Sequence, residues 1–179
     1  MRTDDFDYVL DESRIAQSPA EKRDESKLLV VDRKTGHLEH ERFFDIKKHL
    51  KKGDLLVVNN TKVIPARMYG SRPGKEEKIE ILLIKRITGD TWECLVKPGK
   101  KMKLGTEIII GEILSGKVVD ITDDGSRIIE FSYEGIFEEI LDKLGQMPLP
   151  PYITKKLEDR DRYQTVYAKE EGSAAAPTA

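Results

Sequence analysis

The chain has 179 residues and a net charge of −2, with 38% hydrophobic and 36% charged residues. That allows a real core under much solvated surface but no general attraction for polyanions, so any nucleic-acid contact has to come from local basic patches. A single cysteine, Cys94, excludes an intramolecular disulfide framework; the acidic start MRTDDFDY and the lack of a long apolar run argue against a signal peptide or membrane span, so a soluble, cytoplasmic protein is expected.

From the N-terminus, Phe6 to Gln17 reads as one helical turn capped by Asp11, stopped at Ser18-Pro19. Lys27 to Val31 and His37 to Phe43 are strands of a hairpin around the turn Asp32-Arg-Lys-Thr-Gly36. Asp45 is the expected cap of a short helix, Ile46 to Lys52, ending at Gly53. The apolar run Leu55 to Val58 reads as a central strand buried on both faces. Asn59, Asn60 and Thr61 then fall at that strand's carboxyl end, where open α/β sheets hold ligands; an ordinary Asx-type turn is the competing reading. Pro65 marks an edge or bend, and Arg67 offers a planar charged fork suited to carboxylate or phosphate.

The texture changes at Met68. Lys78 to Arg86 places Ile79, Ile81 and Leu83 on one face, and Thr91 to Lys97 alternates with Trp92, Cys94 and Val96 inward. Glu107 to Ile110, Lys117 to Ile121 and Arg127 to Tyr133 add three further runs, with turn signals between, including Leu114-Ser115-Gly116. Five short strands without helices indicate a small antiparallel barrel or sandwich. A helix follows over Gly135 to Leu144, with an apolar stripe of Ile136, Phe137, Ile140, Leu141 and Leu144 and Gly145 as its cap. The expected fold is therefore an α/β (α+β) discontinuous domain, residues 1–68 and 147–179, carrying an inserted antiparallel β-barrel domain, residues 69–146, that ends in a helix.

Beyond the insertion, Met147-Pro-Leu-Pro-Pro-Tyr-Ile153 is stiffened by three prolines. Taken alone it is a rigid connector or an adaptor ligand. Tyr163 and Tyr167 would share a face on a helix, and tyrosines close to Arg160 and Arg162 can stack bases, although core tyrosines are commoner. Lys97, Lys100, Lys101 and Lys103 surround one loop, and Lys155 and Lys156 follow the proline segment. These six read either as RNA-backbone contacts or as a solvated face. His37 and His40 point to opposite faces of a strand and His49 is remote, so no metal site is expected. There is no glycine-rich phosphate loop, and Cys94 reads as a core thiol.

Together these stretches carry a resemblance. Ile15-Ala-Gln17 with Pro19, Arg23-Asp-Glu-Ser26, Gly53-Asp54 through Asn59-Asn-Thr61 to Pro65-Ala-Arg67, Lys97-Pro98 and Gly135-Ile-Phe137 match in order. So do Met147 to Ile153, Asp161-Arg-Tyr-Gln-Thr-Val-Tyr167 and Gly172-Ser-Ala-Ala-Ala-Pro-Thr-Ala179. The chain resembles the N-terminal half of the S-adenosylmethionine:tRNA ribosyltransferase-isomerase family of queuosine biosynthesis.

The resemblance implies transfer and isomerisation of the ribosyl moiety of S-adenosylmethionine to 7-aminomethyl-7-deazaguanine in the tRNA anticodon. The products are epoxyqueuosine-tRNA, adenine and methionine. It implies S-adenosylmethionine as ribosyl-donor substrate and tRNA as partner; the absence of a metal and of a membrane span is the expectation from the residues themselves. Asn59, Asn60 and Thr61 become candidates for a pocket wall, while Arg67 is a candidate for the methionine carboxylate or a tRNA phosphate, against a structural ion pair. Tyr163, Gln164, Thr165 and Tyr167 become candidates for base recognition; Ser173, Pro177 and Thr178 fall in a small-residue motif where backbone approaches a ligand. The general base is not identified by spacing. Asp11 and Arg14 stand where the family usually has proline and leucine. Family members continue past the Pro-Thr-Ala segment with Gly-Leu-His-Phe-Thr, so the resemblance implies that the C-terminal half is absent and the chain alone is inactive. The alternative function is a non-catalytic tRNA- or RNA-binding module.

Overall fold

The computed structural model describes residues 2–174, which cluster into two compact units. One unit comprises residues 2–57 with 150–156, the other residues 58–149 with 157–174.

In the first unit, strands β1 (Lys27–Val31) and β2 (Leu38–Arg42) form the expected antiparallel hairpin, with Leu29 opposite His40. Asp32 holds its turn: one carboxylate oxygen accepts from the N–H groups of Lys34 and Thr35 at 2.9 and 2.7 Å and from the Thr35 hydroxyl at 2.9 Å. These bonds, led by the Thr35 N–H, hold the Asp32 carboxyl below its usual range. Asp11 caps the 3-10 turn Glu12–Arg14 by accepting from the Ser13 N–H at 2.9 Å, as expected. The helix expected from Ile46 is instead a 3-10 segment, Phe43–Lys48. Asp45 sits inside it rather than before it and accepts from the Arg42 N–H at 3.3 Å. Gln17 ties down the proline-rich segment: its amide donates to the Tyr152 carbonyl at 2.9 Å and accepts from the Thr154 N–H at 2.8 Å.

The expectation of a doubly buried strand at Leu55–Val58 is overturned. The four residues form no strand and are exposed at 88, 63, 70 and 43%. An apolar run becomes a buried strand only where a neighbouring strand and two covering layers exist, and no described segment pairs with it. Indeed no described residue of this unit is buried.

Every buried residue among those described lies between Val63 and Pro148, in the second unit. Strands β3 (Thr61–Val63), β4 (Arg67–Gly70), β5 (Ile79–Arg86), β6 (Thr91–Lys97), β7 (Glu107–Ile110), β8 (Leu114–Ile121) and β9 (Arg127–Tyr133) lead to helix α1 (Phe137–Leu144), and strand β10 (Glu170–Ser173) follows. Strands β4 to β9 make one antiparallel sheet in the order β4-β5-β6-β9-β8-β7. Six strands build it rather than five, because β4 pairs with β5 through Arg67↔Leu82 to Gly70↔Ile79. The sheet closes where Ser71 and Ile109 exchange both backbone hydrogen bonds, at 3.0 and 2.8 Å. Gly70 permits that closure: a Cβ there would stand 2.4 Å from the Ile109 carbonyl oxygen.

Alternation fills the barrel as anticipated. Ile79, Ile81, Leu83, Trp92, Cys94, Ile108, Ile110, Val118 and Ile129 are buried, each of the aliphatic ones stabilising the fold by about 1.5–3 kcal/mol. Burial pushes the Cys94 thiol far up, which leaves it protonated and inert. Leu114-Ser115-Gly116 is the start of β8, not a turn; the turn lies at residues 111–113.

Helix α1 packs its stripe of Phe137, Ile140 and Leu141 onto the barrel, while Ile136 stays exposed. The Phe137 ring lies 5.6 Å from Trp92, 5.6 Å from Phe131 and 5.1 Å from Tyr133, centroid to centroid. Gly145 does close the helix, but with φ −80°. Glycine is required there for proximity, since a Cβ would stand 2.0 Å from the Pro65 carbonyl oxygen.

Candidate functional site

Two of the motifs singled out in the sequence, separated by the whole barrel, meet at β3. Asn59 forms the Asx turn: its side-chain oxygen accepts from the Thr61 N–H at 2.8 Å and the Thr61 hydroxyl at 2.6 Å. The Asn60 carbonyl accepts from the Lys169 and Glu170 N–H groups at 2.7 and 3.1 Å. Strand β3 then runs parallel to β10, pairing Thr61 with Glu170, Lys62 with Glu171 and Val63 with Ser173.

Gln164 completes the junction. Its amide oxygen accepts from the Val63 N–H and its amide nitrogen donates to the Val63 carbonyl, both at 2.8 Å. A side chain thus serves Val63 as a neighbouring strand would. Asn59, Asn60, Thr61, Gln164 and the backbone of Ser173 are therefore brought together. Pro177 and Thr178 lie outside the described residues.

The tyrosines are arranged otherwise than helical spacing implied. Arg160–Tyr163 is a single 3-10 turn capped by the Asp159 carboxylate, and Gln164 after it is extended. Tyr163 is half-buried and its hydroxyl donates to the Pro148 carbonyl at 3.3 Å. A turn over residues 165–168, where the Thr165 hydroxyl accepts from the Tyr167 N–H at 3.3 Å, leaves Val166 and Tyr167 exposed at 73 and 47%. The two rings do not share a helical face.

Arg67, on β4, faces Glu80 at 3.1 Å and donates to the Leu149 carbonyl at 3.1 Å. Its backbone also exchanges hydrogen bonds with Gln146. The structural ion pair left open by the sequence is thus present, and the guanidinium anchors the chain where it leaves α1 for the proline segment.

Beside β3 lies a cleft of about 190 Å³ that includes Lys62, Asp142, Arg160, Gln164 and Glu171. Lys62 meets Glu171 at 2.9 Å, which raises the lysine's pKa. Arg160 donates to the carbonyls of Asp142 and Gly145 at 3.2 and 3.1 Å, capping the C-terminal end of α1. The volume falls below the roughly 300 Å³ at which small-molecule sites begin, and acidic side chains outnumber basic ones along its lining. It suits a polar junction better than a nucleoside or phosphate site. Lys62 and Glu171 drew no attention in the sequence because neither stands in a recognisable spacing; only the parallel pairing brings them together.

The basic residues divide into unlike sets. Lys101 Nζ lies 2.6 Å from Glu77, which Arg72 also meets at 2.6 Å. The Arg72 hydrogen bond, followed by that of Lys101, holds the Glu77 carboxyl down at about 2. Lys97, Lys100 and Lys103 are exposed. Lys155 donates from Nζ to the Ser18 hydroxyl at 3.1 Å, and Lys156 is exposed. His37 lies 3.5 Å from Glu39 and His49 2.8 Å from Glu41; among the described residues no three His, Cys, Asp or Glu side chains are grouped to hold a metal. No helix among them is long and apolar enough to cross a membrane.

Fold and junction define an α+β protein in which an antiparallel barrel separates two sequence motifs that rejoin beside it. A family model described as queuosine biosynthesis protein matches residues 3–179, and the chain belongs to that family. It is 65% identical, over its full length, to the S-adenosylmethionine:tRNA ribosyltransferase-isomerase of Finegoldia magna and covers 52% of that protein. The protein of the same description from Desulfitobacterium hafniense is 55% identical, with 53% of its length covered. A crystal structure of S-adenosylmethionine tRNA ribosyltransferase from Thermotoga maritima matches 78% of this chain and 48% of its own at 47% identity, with a TM-score of 0.41. The chain spans about half the length of the curated relatives it matches.

Proposed function

We propose that this chain supplies the N-terminal half of an enzyme that transfers and isomerises the ribosyl moiety of S-adenosylmethionine to 7-aminomethyl-7-deazaguanine in tRNA. Epoxyqueuosine-tRNA forms, and adenine and methionine leave. The observation that carries this reading is the identity of 65% to a relative so described, extending across both motifs that meet at β3. The sulfonium of the donor acidifies the adjacent C5′ protons, so the reaction begins with proton abstraction and loss of adenine, and it needs a positioned general base. In this reading Asn59, Asn60 and Thr61 contribute one wall of the ribosyl-transfer pocket, and Tyr167 with Val166 offers exposed apolar surface for a base. The location is the cytoplasm, where tRNA is modified.

Residues 1–68 and 147–179 belong, in this proposal, to one catalytic domain interrupted by the barrel domain at 69–146. Two observations support it: the Asn59–Val63 segment pairs with residues 164–173, and no described residue of 2–57 is buried. A two-stranded hairpin with both faces open is not stable in isolation. The polypeptide that relatives carry beyond this stretch completes the core and the pocket. In the competing reading, favoured by the exposed lysines near residue 100, the chain binds RNA without catalysis.

Adenine release from S-adenosylmethionine with precursor tRNA separates the two. The 179-residue chain alone is expected to release none, and addition of the C-terminal half of a relative restores release. Turnover by the chain alone refutes the shared-pocket reading, and failure of the reconstituted pair refutes the enzymatic one.

A further inference from the structure

The end of β6 and the loop after it carry four lysines in the seven residues Lys97 to Lys103, and the loop is held by several bonds. Its 3-10 turn, Gly99–Lys101, closes through Met102 N–H to the Gly99 carbonyl at 3.0 Å. The Met102 side chain is fully buried in the barrel core. The Lys103 N–H donates to the Thr106 hydroxyl at 3.1 Å. From β9, Arg127 reaches three carbonyls: Met102 at 2.7 Å, Gly99 at 2.8 Å, and Gly125 in the neighbouring turn. A guanidinium has the planar fork to satisfy several carbonyls at once, which an ammonium lacks.

Within this frame the lysines differ. Lys101 is drawn back onto Glu77, a carboxylate already shared with Arg72. Lys97, Lys100 and Lys103 are exposed, and none lies within ion-pair distance of an acidic side chain among the described residues. Lys97 stands opposite Glu80 across β5 and β6, but the Glu80 carboxylate is engaged by Arg67. Asp124, in the turn beside the loop, accepts from Thr122 and Ser126 and makes no ion pair with these lysines. A chain of net charge −2 therefore presents three exposed cations outside any ion pair on a backbone already fixed, so little ordering entropy is lost when a polyanion docks.

We infer that Lys97, Lys100 and Lys103 form a phosphate-contacting surface for the RNA backbone, that Lys101 is an anchor and not a contact, and that Arg127 is the positioning residue for the loop. The inference rests on the tRNA-modifying reading for its choice of RNA as the polyanion. Contact with three phosphates releases their condensed counterions and makes binding steeply salt-dependent.

The test uses the whole 179-residue chain and a labelled RNA anticodon stem–loop, titrated by fluorescence anisotropy over a range of KCl concentrations. In a Lys97→Gln/Lys100→Gln/Lys103→Gln variant, the slope of log Kobs against log [KCl] is expected to flatten by about 2 to 3, at roughly 0.7–0.9 per lost contact. Lys101→Gln is expected to keep the wild-type slope. Arg127→Lys preserves charge but not the three carbonyl bonds, and is expected to flatten the slope by about 1 to 2 while circular dichroism stays unchanged. Retention of the wild-type slope by the triple variant overturns the surface. Loss in Lys101→Gln equal to that in the triple variant overturns the division of roles, and a wild-type slope in Arg127→Lys overturns the positioning role. Absence of any RNA binding by the wild-type chain overturns the whole inference, while the adenine-release experiment still decides the enzymatic reading separately.

Discussion

Replacing Gln164 tests whether it works as a backbone clamp or waits free for a base. Its amide satisfies both the N–H and the carbonyl of Val63 at 2.8 Å, on a residue only 2% exposed. Gln164→Leu keeps the volume and removes both partners. Each neutral hydrogen bond contributes about 0.5–1.5 kcal/mol net, and an orphaned buried group costs about 1–3 kcal/mol. Two such groups, partly relieved by water, give an expected loss of about 2–5 kcal/mol. Gln164→Glu is the sharper probe. Its carboxylate still accepts from the Val63 N–H but opposes the Val63 carbonyl, whereas the protonated acid donates to that carbonyl as the amide did. The folded-state pKa of the new carboxyl is therefore raised. Stability matches wild type most closely below the unfolded pKa of about 4.3 and is lost as pH rises through the folded pKa. Guanidinium unfolding followed by the fluorescence of Trp92, the sole tryptophan, measures the energy; hydrogen exchange at the Val63 amide reports the clamp itself. A Gln164→Leu variant within about 0.5 kcal/mol of wild type, with Val63 exchange unchanged, would sink the clamp and return Gln164 to base recognition.

Phe137→Ala removes the ring that joins α1 to Trp92, Phe131 and Tyr133. It is expected to cost about 3–5 kcal/mol and to shift the Trp92 emission, and a loss under about 1 kcal/mol refutes the view that this ring carries the helix–barrel contact. Glu77, held near pKa 2 by Arg72 and Lys101, contributes stability fully above the ordinary glutamate value of about 4.3 and loses it as pH falls toward 2. Unfolding midpoints measured across that window are expected to fall less steeply in Glu77→Gln, which also lowers stability at neutral pH. Residual slope remains because Asp32, Asp45 and Asp124 are depressed too. Identical pH profiles for variant and wild type refute the triad.

The barrel was largely legible because Trp92, Cys94 and Val96 alternate with polar residues over most of β6 and Ile79, Ile81 and Leu83 recur at every second position of β5, and a period of two states both the element and its inner face. Two of its details were hidden. Strand β4 is only four residues and includes Gly70, whose purpose is visible only against Ile109 across the closure. Gly116 suggested a turn, yet a Cβ there would stand 2.8 Å from Ile129 Cγ2; it is a strand residue made small by its neighbours. Leu55–Val58 misled for a different reason. Hydrophobicity records a need for cover and not its source, and within the described residues that cover is missing. At the junction, the Asx turn at Asn59 follows from local chemistry. The Gln164 clamp does not, because a side-chain amide that substitutes for a strand depends on contacts about a hundred residues apart in the chain.

The reciprocal Ser71–Ile109 pairing has a consequence for handling the chain. A sheet whose edge strands are bridged to each other offers little unpaired edge to template another molecule, so the barrel is not where aggregation is expected to start. The hazard is concentrated in β1, β2 and the exposed Leu55–Val58 run, whose branched apolar residues are those that stack into intermolecular strands. Solubilising changes therefore belong in these N-terminal segments, and a lysine introduced at Val57 protects the chain where further charge on the barrel does not.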